Sequence, residues 1–195
     1  MNFGLIVEGH GEVQALPILV RRIAAWAGVE GPVVFPEPLR VHRSSIVKAG
    51  ELERAVELMA RKTGPGAPIL VLLDADEECA VELASALRSR AVEARSDRAI
   101  AVVIAVQEFE AWLLAGGSCL AGECTLPSDL ALPDRPETLK SPKSWFDRNM
   151  ARGYTETVDQ AKLTARFDLA EARRDRSFRK FVKDACRLLG RDEPT

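Results

Sequence analysis

Three short, nearly unbroken apolar runs, each ended by acidic residues, constrain this chain more than any other feature. Phe3-Gly4-Leu5-Ile6-Val7 leads into Glu8-Gly9-His10-Gly11-Glu12, and Ile69-Leu70-Val71-Leu72-Leu73 leads into Asp74-Ala75-Asp76-Glu77-Glu78. Ile100 to Val106 leads into Gln107-Glu108-Phe109-Glu110. Runs this short and this apolar are strands covered on both faces, the hallmark of a parallel sheet. The segments between them carry helical spacing. Val13, Leu16, Leu19, Val20, Ile23 and Trp26 form one stripe, with Gly28 as its stop. Pro17 predicts that the regular helix either begins near it or kinks there. Further helices are expected over Glu51 to Lys62, Glu77 to Ala94 and Gln107 to Leu114, the last closed by Gly116-Gly117. Val33-Val34-Phe35 and Leu39-Arg40-Val41, split by prolines, suit an edge strand.

Strands alternating with helices predict a doubly wound, mostly parallel α/β domain over residues 1–116. Residues 117–195 read as a proline-rich linker followed by short helices rich in Arg and Lys, a basic extension packed on that domain. Phe178, Phe181 and Val182 are expected to bury its last helix. Charge divides accordingly: residues 1–134 carry a net −7 and residues 135–195 a net +5. Such asymmetry points toward a polyanionic partner, and Arg173, Arg174, Arg176, Arg179, Lys180 and Lys183 could track a nucleic-acid backbone.

With 47% hydrophobic and 29% charged residues among 195, the chain has the composition of a globular domain with a small appendage. That excludes a disordered, collagen-like or disulfide-stapled protein. The longest apolar stretch, Ala99 to Val106, has eight residues, against about 20 for a membrane-spanning helix. Met1-Asn2-Phe3-Gly4 carries no basic region, and Glu8 interrupts the first apolar run, so a cytoplasmic chain without signal peptide or membrane contact is expected. Cys79, Cys119, Cys124 and Cys186 lack the spacing of a zinc site and are expected as free thiols.

In open parallel sheets, ligands bind where loops leave the carboxyl ends of the strands. The acids at these ends should therefore converge. Two carboxylates about 5 Å apart repel by roughly 3 kcal/mol at an effective dielectric near 20, so Glu8, Asp74 and Asp76 together would cost on the order of 10 kcal/mol if ionised and uncompensated. Splaying into water, protonation or a bound cation would relieve this, and hard oxygen donors without cysteine or histidine suit Mg²⁺ or Mn²⁺. Glu12, Glu78, Glu108 and Glu110 are further candidate ligands, although Glu12 and Glu77 would also complement helix N-termini. His10 flanks this region. Gly9 and Gly11 lack the third glycine of a dinucleotide fingerprint, and no Gly-Lys-Ser/Thr phosphate loop is present.

At these residues the chain resembles the TOPRIM (topoisomerase–primase) domain. That fold carries a glutamate after its first strand, matched by Glu8 in Val7-Glu8-Gly9. It carries Asp-x-Asp-x-Glu after its third, matched by Asp74, Asp76 and Glu78. Val7-Glu8-Gly9-x-x-Glu12, Leu72-Leu73-Asp74-Ala75-Asp76 and Glu108-Phe109-Glu110-Ala111-Trp112-Leu113-Leu114-Ala115 together look like a bacterial TOPRIM-like family known as domain of unknown function 4276. The resemblance implies a Mg²⁺-dependent phosphodiester site, as in nucleases of the overcoming-lysogenization-defect type, whose wider group often acts in defence against phage or mobile DNA. Topoisomerases add a nucleophilic tyrosine from another domain, and here Tyr154 lies in the helical extension.

The expected function is therefore metal-dependent cleavage of nucleic acid. Asp74 and Asp76 would hold Mg²⁺, Glu8 would ligate it or take a proton from water, and Glu110 with Glu12 would complete a second position. Arg40, Arg43 and Lys48 are the phosphate-binding candidates. One alternative is a non-catalytic metal- or nucleotide-binding regulatory subunit of a defence system, partnering an ATPase. The other is a phosphoryl-transfer protein on a similar sheet.

Overall fold

The computed structural model of the chain describes residues 1–75 and 79–194. Four parallel strands build one sheet: β1 (Gly4–Val7), β2 (Leu39–Arg40), β3 (Ile69–Asp74) and β4 (Ile100–Ala105), in the order β2-β1-β3-β4. Alternation of side chains along the strands serves two cores. Leu5, Val7, Leu70 and Leu72 join one apolar cluster, while Ile6, Ile69, Val71 and Leu73 join another. The first face is covered by α1 (Glu12–Trp26), α5 (Phe109–Ala115) and α9 (Arg176–Leu188); the second by α3 (Glu51–Thr63) and α4 (Ala80–Ala94). The fold is α/β, with an all-parallel sheet between two helical layers.

This order fixes where a site can form. The chain leaves β1 toward β2 on one side, then crosses back to add β3 and β4 on the other. The direction of winding reverses between β1 and β3, where their carboxyl ends open a crevice. In the register, Ile6 pairs with Val71 and Val7 with Leu72. Glu8 and Asp74 thus leave neighbouring strands on either side of that crevice.

Several boundaries differ from the sequence expectation, each for a local reason. Helix α1 starts at Glu12 and carries Pro17 in its interior instead of beginning there. Of Val33-Val34-Phe35, Val34 makes a single bridge to Asn2, while Val33 enters the core. The edge strand proper is β2. A four-residue helix, α2 (Arg43–Ile46), follows it with His42 as its cap and was not anticipated. Strand β4 ends at Ala105 because Gln107 turns the chain at φ 66°, which delays α5 to Phe109. Helix α4 is described from Ala80, and Glu77, where it was expected to start, lies outside the described residues.

Beyond α5 the chain runs through short 3₁₀ turns, then α6 (Pro142–Asn149), a π turn (Glu156–Gln160), α7 (Ala161–Thr164), α8 (Leu169–Ala172) and α9. Side chains of Ser141, Asp168 and Asp175 accept N–H bonds at the starts of α6, α8 and α9. As expected, Phe178, Phe181 and Val182 are fully buried; they pack in the same cluster as the β1 and β3 side chains. Among the described residues no helix is long and apolar enough to cross a membrane, and the four cysteines are free.

The junction between domain and extension is tight at Gly116. Its carbonyl accepts the Asp168 N–H at 2.8 Å, and a Cβ placed there would stand 2.2 Å from the Asp168 carbonyl oxygen. Because backbone must move to admit even a methyl group, Gly116→Ala is expected to destabilise the protein by about 2 kcal/mol, measurable by urea denaturation.

Candidate acidic site

Glu12, Asp74 and Glu110 meet at the carboxyl edge of the sheet, with Glu8 at its rim. Asp74 is the last residue of β3, and its Oδ1 accepts the Phe109 N–H at 3.0 Å. That bond ties the start of α5 to the end of β3, which brings Glu110 in over Asp74. Glu110 is fully buried in the first turn of α5. Glu12, also buried, folds back so that its carboxylate accepts the Gly9 N–H and closes the loop after β1. Glu8 is partly exposed, and the Arg40 guanidinium reaches its carbonyl at 3.4 Å.

Electrostatics marks these groups as one cluster. Burial raises the Asp74 pKa well above the ordinary carboxylate range, and the fields of Glu12, Glu110 and Glu8 push it further, with Lys143 opposing. Glu110 is pushed up to about 7, by burial first, against the pull of Lys143 and a Tyr154 hydrogen bond. Glu12 is raised by burial as well, moderated by a bond from Gln160.

Much of the cluster comes from the helical extension. Tyr154 donates its hydroxyl to Glu110 Oε1 at 2.7 Å. Gln160 Nε2 donates to Glu110 Oε1 at 3.1 Å and to Glu12 Oε1 at 3.3 Å. Glu156 Oε1 accepts the Gly11 N–H at 2.9 Å, and its other oxygen lies 3.5 Å from Lys143 Nζ. Gly11 must be bare: a Cβ would stand 2.3 Å from Gln160 Oε1 and 2.6 Å from Glu156 Cγ. Burial and Glu110 together raise the Tyr154 pKa far above a phenol's usual value, so its hydroxyl stays protonated and serves as a donor.

Lys143, Tyr154, Glu156 and Gln160 were missed in the sequence. They follow the proline-rich connection at no readable spacing from the acids. Pro142, expected in the connection, opens α6 with Ser141 as its cap, and nothing local in the sequence indicates that this helix carries Lys143 to the acids. Glu108 accepts the Lys143 backbone N–H at 2.8 Å and so anchors the start of α6. Asp76 and Glu78 lie outside the described residues. Of the phosphate-binding candidates, Arg43 is buried, with Nη1 on the Asp74 carbonyl at 2.7 Å, while Arg40 and Lys48 are exposed, as is His10.

The donor set suits a hard cation. Among the described residues Glu110 Oε2 is buried with no hydrogen-bond partner, and the carboxylates of Glu12 and Asp74 are its neighbours in the cluster. Among the described residues, however, no three acidic, histidine or cysteine side chains already stand close enough to enclose a metal ion. The described carboxylates form an acidic cluster at the carboxyl edge of the sheet.

The raised Glu110 pKa makes a pH prediction. A carboxyl at 4.5 in the unfolded chain and about 7 in the folded one favours folding when protonated, so its contribution is full below pH 4.5 and is lost as pH rises through 7. Glu110→Gln keeps the acceptor for Tyr154 and removes the titration. It is expected to flatten stability against pH between 5 and 8 in EDTA, with a gain of roughly 2 kcal/mol at pH 8 by chemical denaturation.

Fold and crevice together define an α/β protein with an acidic site at the switch point of a parallel sheet. The family model of domain of unknown function 4276 (DUF4276) matches residues 7–184, and the chain belongs to that family. The match runs from the last residue of β1 through the other strands and the acidic residues into α9. No curated protein and no solved structure matches the chain.

Proposed function

We propose that the protein is a TOPRIM-like, Mg²⁺- or Mn²⁺-dependent phosphodiesterase acting on nucleic acid. One observation carries this reading: carboxylates from the end of β3 and from the first turns of α1 and α5 meet over the switch point, where a buried Glu110 oxygen has no hydrogen-bond partner among the described residues. A glutamate after the first strand and an aspartate after the third stand where the TOPRIM resemblance expects them.

Asp74, Glu110 and Glu12 are the described residues that would hold the cation, and Asp76, two positions after Asp74 in the sequence, is the further candidate that the resemblance implies. When bound, such an ion supplies positive charge that polarises a phosphodiester and lowers the pKa of water. The chain's own groups do the rest. Glu8, at the rim, would take a proton from attacking water. The loop closed by Glu12 and the Phe109 N–H bond to Asp74 hold the carboxylates in a fixed arrangement.

Phosphate charge would be met by exposed Arg40 and Lys48 and by the basic face of α9. On that face Lys180 and Arg187 already pair with Asp184, so Arg176, Arg179 and Lys183 are the stronger candidates. A role in defence against phage or mobile DNA, in the cytoplasm, fits this chemistry.

The test is incubation of the full chain with supercoiled plasmid, single-stranded DNA and RNA in Mg²⁺, Mn²⁺ or EDTA. Cleavage that requires the metal supports the reading, and cleavage that persists in EDTA overturns it. Metal binding with no cleavage of any substrate would instead favour a regulatory subunit partnering an ATPase.

A further inference from the structure

Among the described residues at the acidic site, Lys143 is the group whose position is set from the extension and whose charge opposes the cluster. Its backbone is pinned, with the N–H on Glu108 Oε2 and Ser141 capping the helix turn that carries it. Its side chain is not. The ammonium lies 3.5 Å from Glu156, longer than a close ion pair, and Glu156 is also engaged with the Gly11 N–H. Burial opposes the lysine's charge, yet Glu110, Asp74, Glu156 and Glu12 together outweigh burial and hold it firmly protonated. A four-carbon stem lets such a point charge shift by several ångströms while its backbone stays fixed.

We propose that Lys143 is a tethered counter-cation, occupying the acidic crevice of the metal-free protein and yielding when a divalent ion enters, so that it sets the affinity of the site. This rests on the reading of the crevice as a metal site. Physically, the carboxylates that would ligate the ion are those that attract the ammonium, and two cations in one low-dielectric crevice repel. Each therefore weakens the other's hold by the same factor. The lysine thus gives the cluster a folded state that needs no metal, at the expense of affinity.

The experiment is Mn²⁺ titration of the full chain by calorimetry, with melting temperatures in EDTA and in saturating Mn²⁺. Lys143→Gln is expected to bind Mn²⁺ about tenfold more tightly than wild type, to melt lower in EDTA, and to regain the difference in Mn²⁺. Lys143→Arg keeps the charge and should bind as wild type does. Lys140→Gln, the same charge change at an exposed position three residues away, should shift affinity less than about twofold. Should Lys143→Gln fail to fold, Glu156→Gln provides a second arm: with its ion-pair partner neutral, the ammonium turns to the remaining acids and Mn²⁺ binds more weakly.

Unchanged or weaker binding in Lys143→Gln overturns the proposal, as does tighter binding in Glu156→Gln or no Mn²⁺ uptake by any variant. Failure of the nuclease reading alone looks different. In that case Lys143→Gln still tightens Mn²⁺ binding, but no nucleic acid is cut.

Discussion

Asp74→Asn protein is expected to lose metal-dependent cleavage by a hundredfold to about a thousandfold while folding at least as stably as wild type. The two halves of this result have one cause. Asp74 sits where burial and the fields of Glu12, Glu110 and Glu8 all disfavour its charged form. The native state therefore tolerates that charge at a cost which Lys143 offsets in part and a bound cation would offset further. Asparagine removes the charge and keeps an oxygen for the Phe109 N–H, so the β3–α5 junction is preserved. In EDTA at neutral pH the variant should match or exceed wild-type stability by urea denaturation, and its far-UV dichroism should be unchanged. Cleavage assayed beside this measurement separates chemistry from folding. Wild-type-like cleavage by Asp74→Asn would remove the crevice as the active site.

The strands were legible because strands covered on both faces leave an apolar signature that loops and amphipathic helices do not share. Ile69 to Leu73 and Ile100 to Val106 each fall within one residue of the observed β3 and β4 for that reason. That Glu8 and Asp74 leave the same edge of the sheet was legible too, because parallel strands put all their carboxyl ends on one edge. Boundaries set by backbone turns were less visible: Gln107 adopts a left-handed conformation that its side chain does not advertise, and α2 forms after the short edge strand β2. What the sequence hid was the extension's share of the site. Tyr154, Glu156 and Gln160 reach Glu110, Gly11 and Glu12 across separations of 44 to 148 residues, and no local periodicity encodes such contacts. The basic character of residues 135–195 suggested a track for polyanions. Part of that charge is spent inside the protein, Lys143 on the acids and Arg173 on Glu193.

Trp112 shows how firmly this extension is built in. In the sequence it belongs to the Glu-Ala-Trp-Leu-Leu segment, the most specific signature in the chain, beside the candidate ligand Glu110. In the structure it is fully buried, with Phe109, Phe178 and Phe181 ring centroids at 5.3, 5.4 and 5.1 Å. Its indole N–H donates to Ser177 Oγ at 2.7 Å, and Ser177 in turn donates to the α9 cap, Asp175. One side chain thus joins α5, which carries Glu110, to α9, which closes the far end of the extension. Trp112→Ala removes a large buried ring and the shorter of two N–H bonds to the Ser177 hydroxyl, the Val106 N–H at 3.3 Å remaining, for an expected loss of about 4 kcal/mol. Against a typical domain stability of roughly 5–15 kcal/mol, this brings the native state near its limit. The expected measurement is a large drop in the urea midpoint at an unchanged slope, with metal-dependent cleavage lost in parallel as the folded fraction falls. Trp112→Phe keeps most of the packing and should cost less than half as much. Were α9 a separately stable appendage, Trp112→Ala would melt in two steps, with the sheet persisting after the extension had unfolded. A single cooperative transition is the expected outcome, because the aromatic cluster belongs to the same core as β1 and β3.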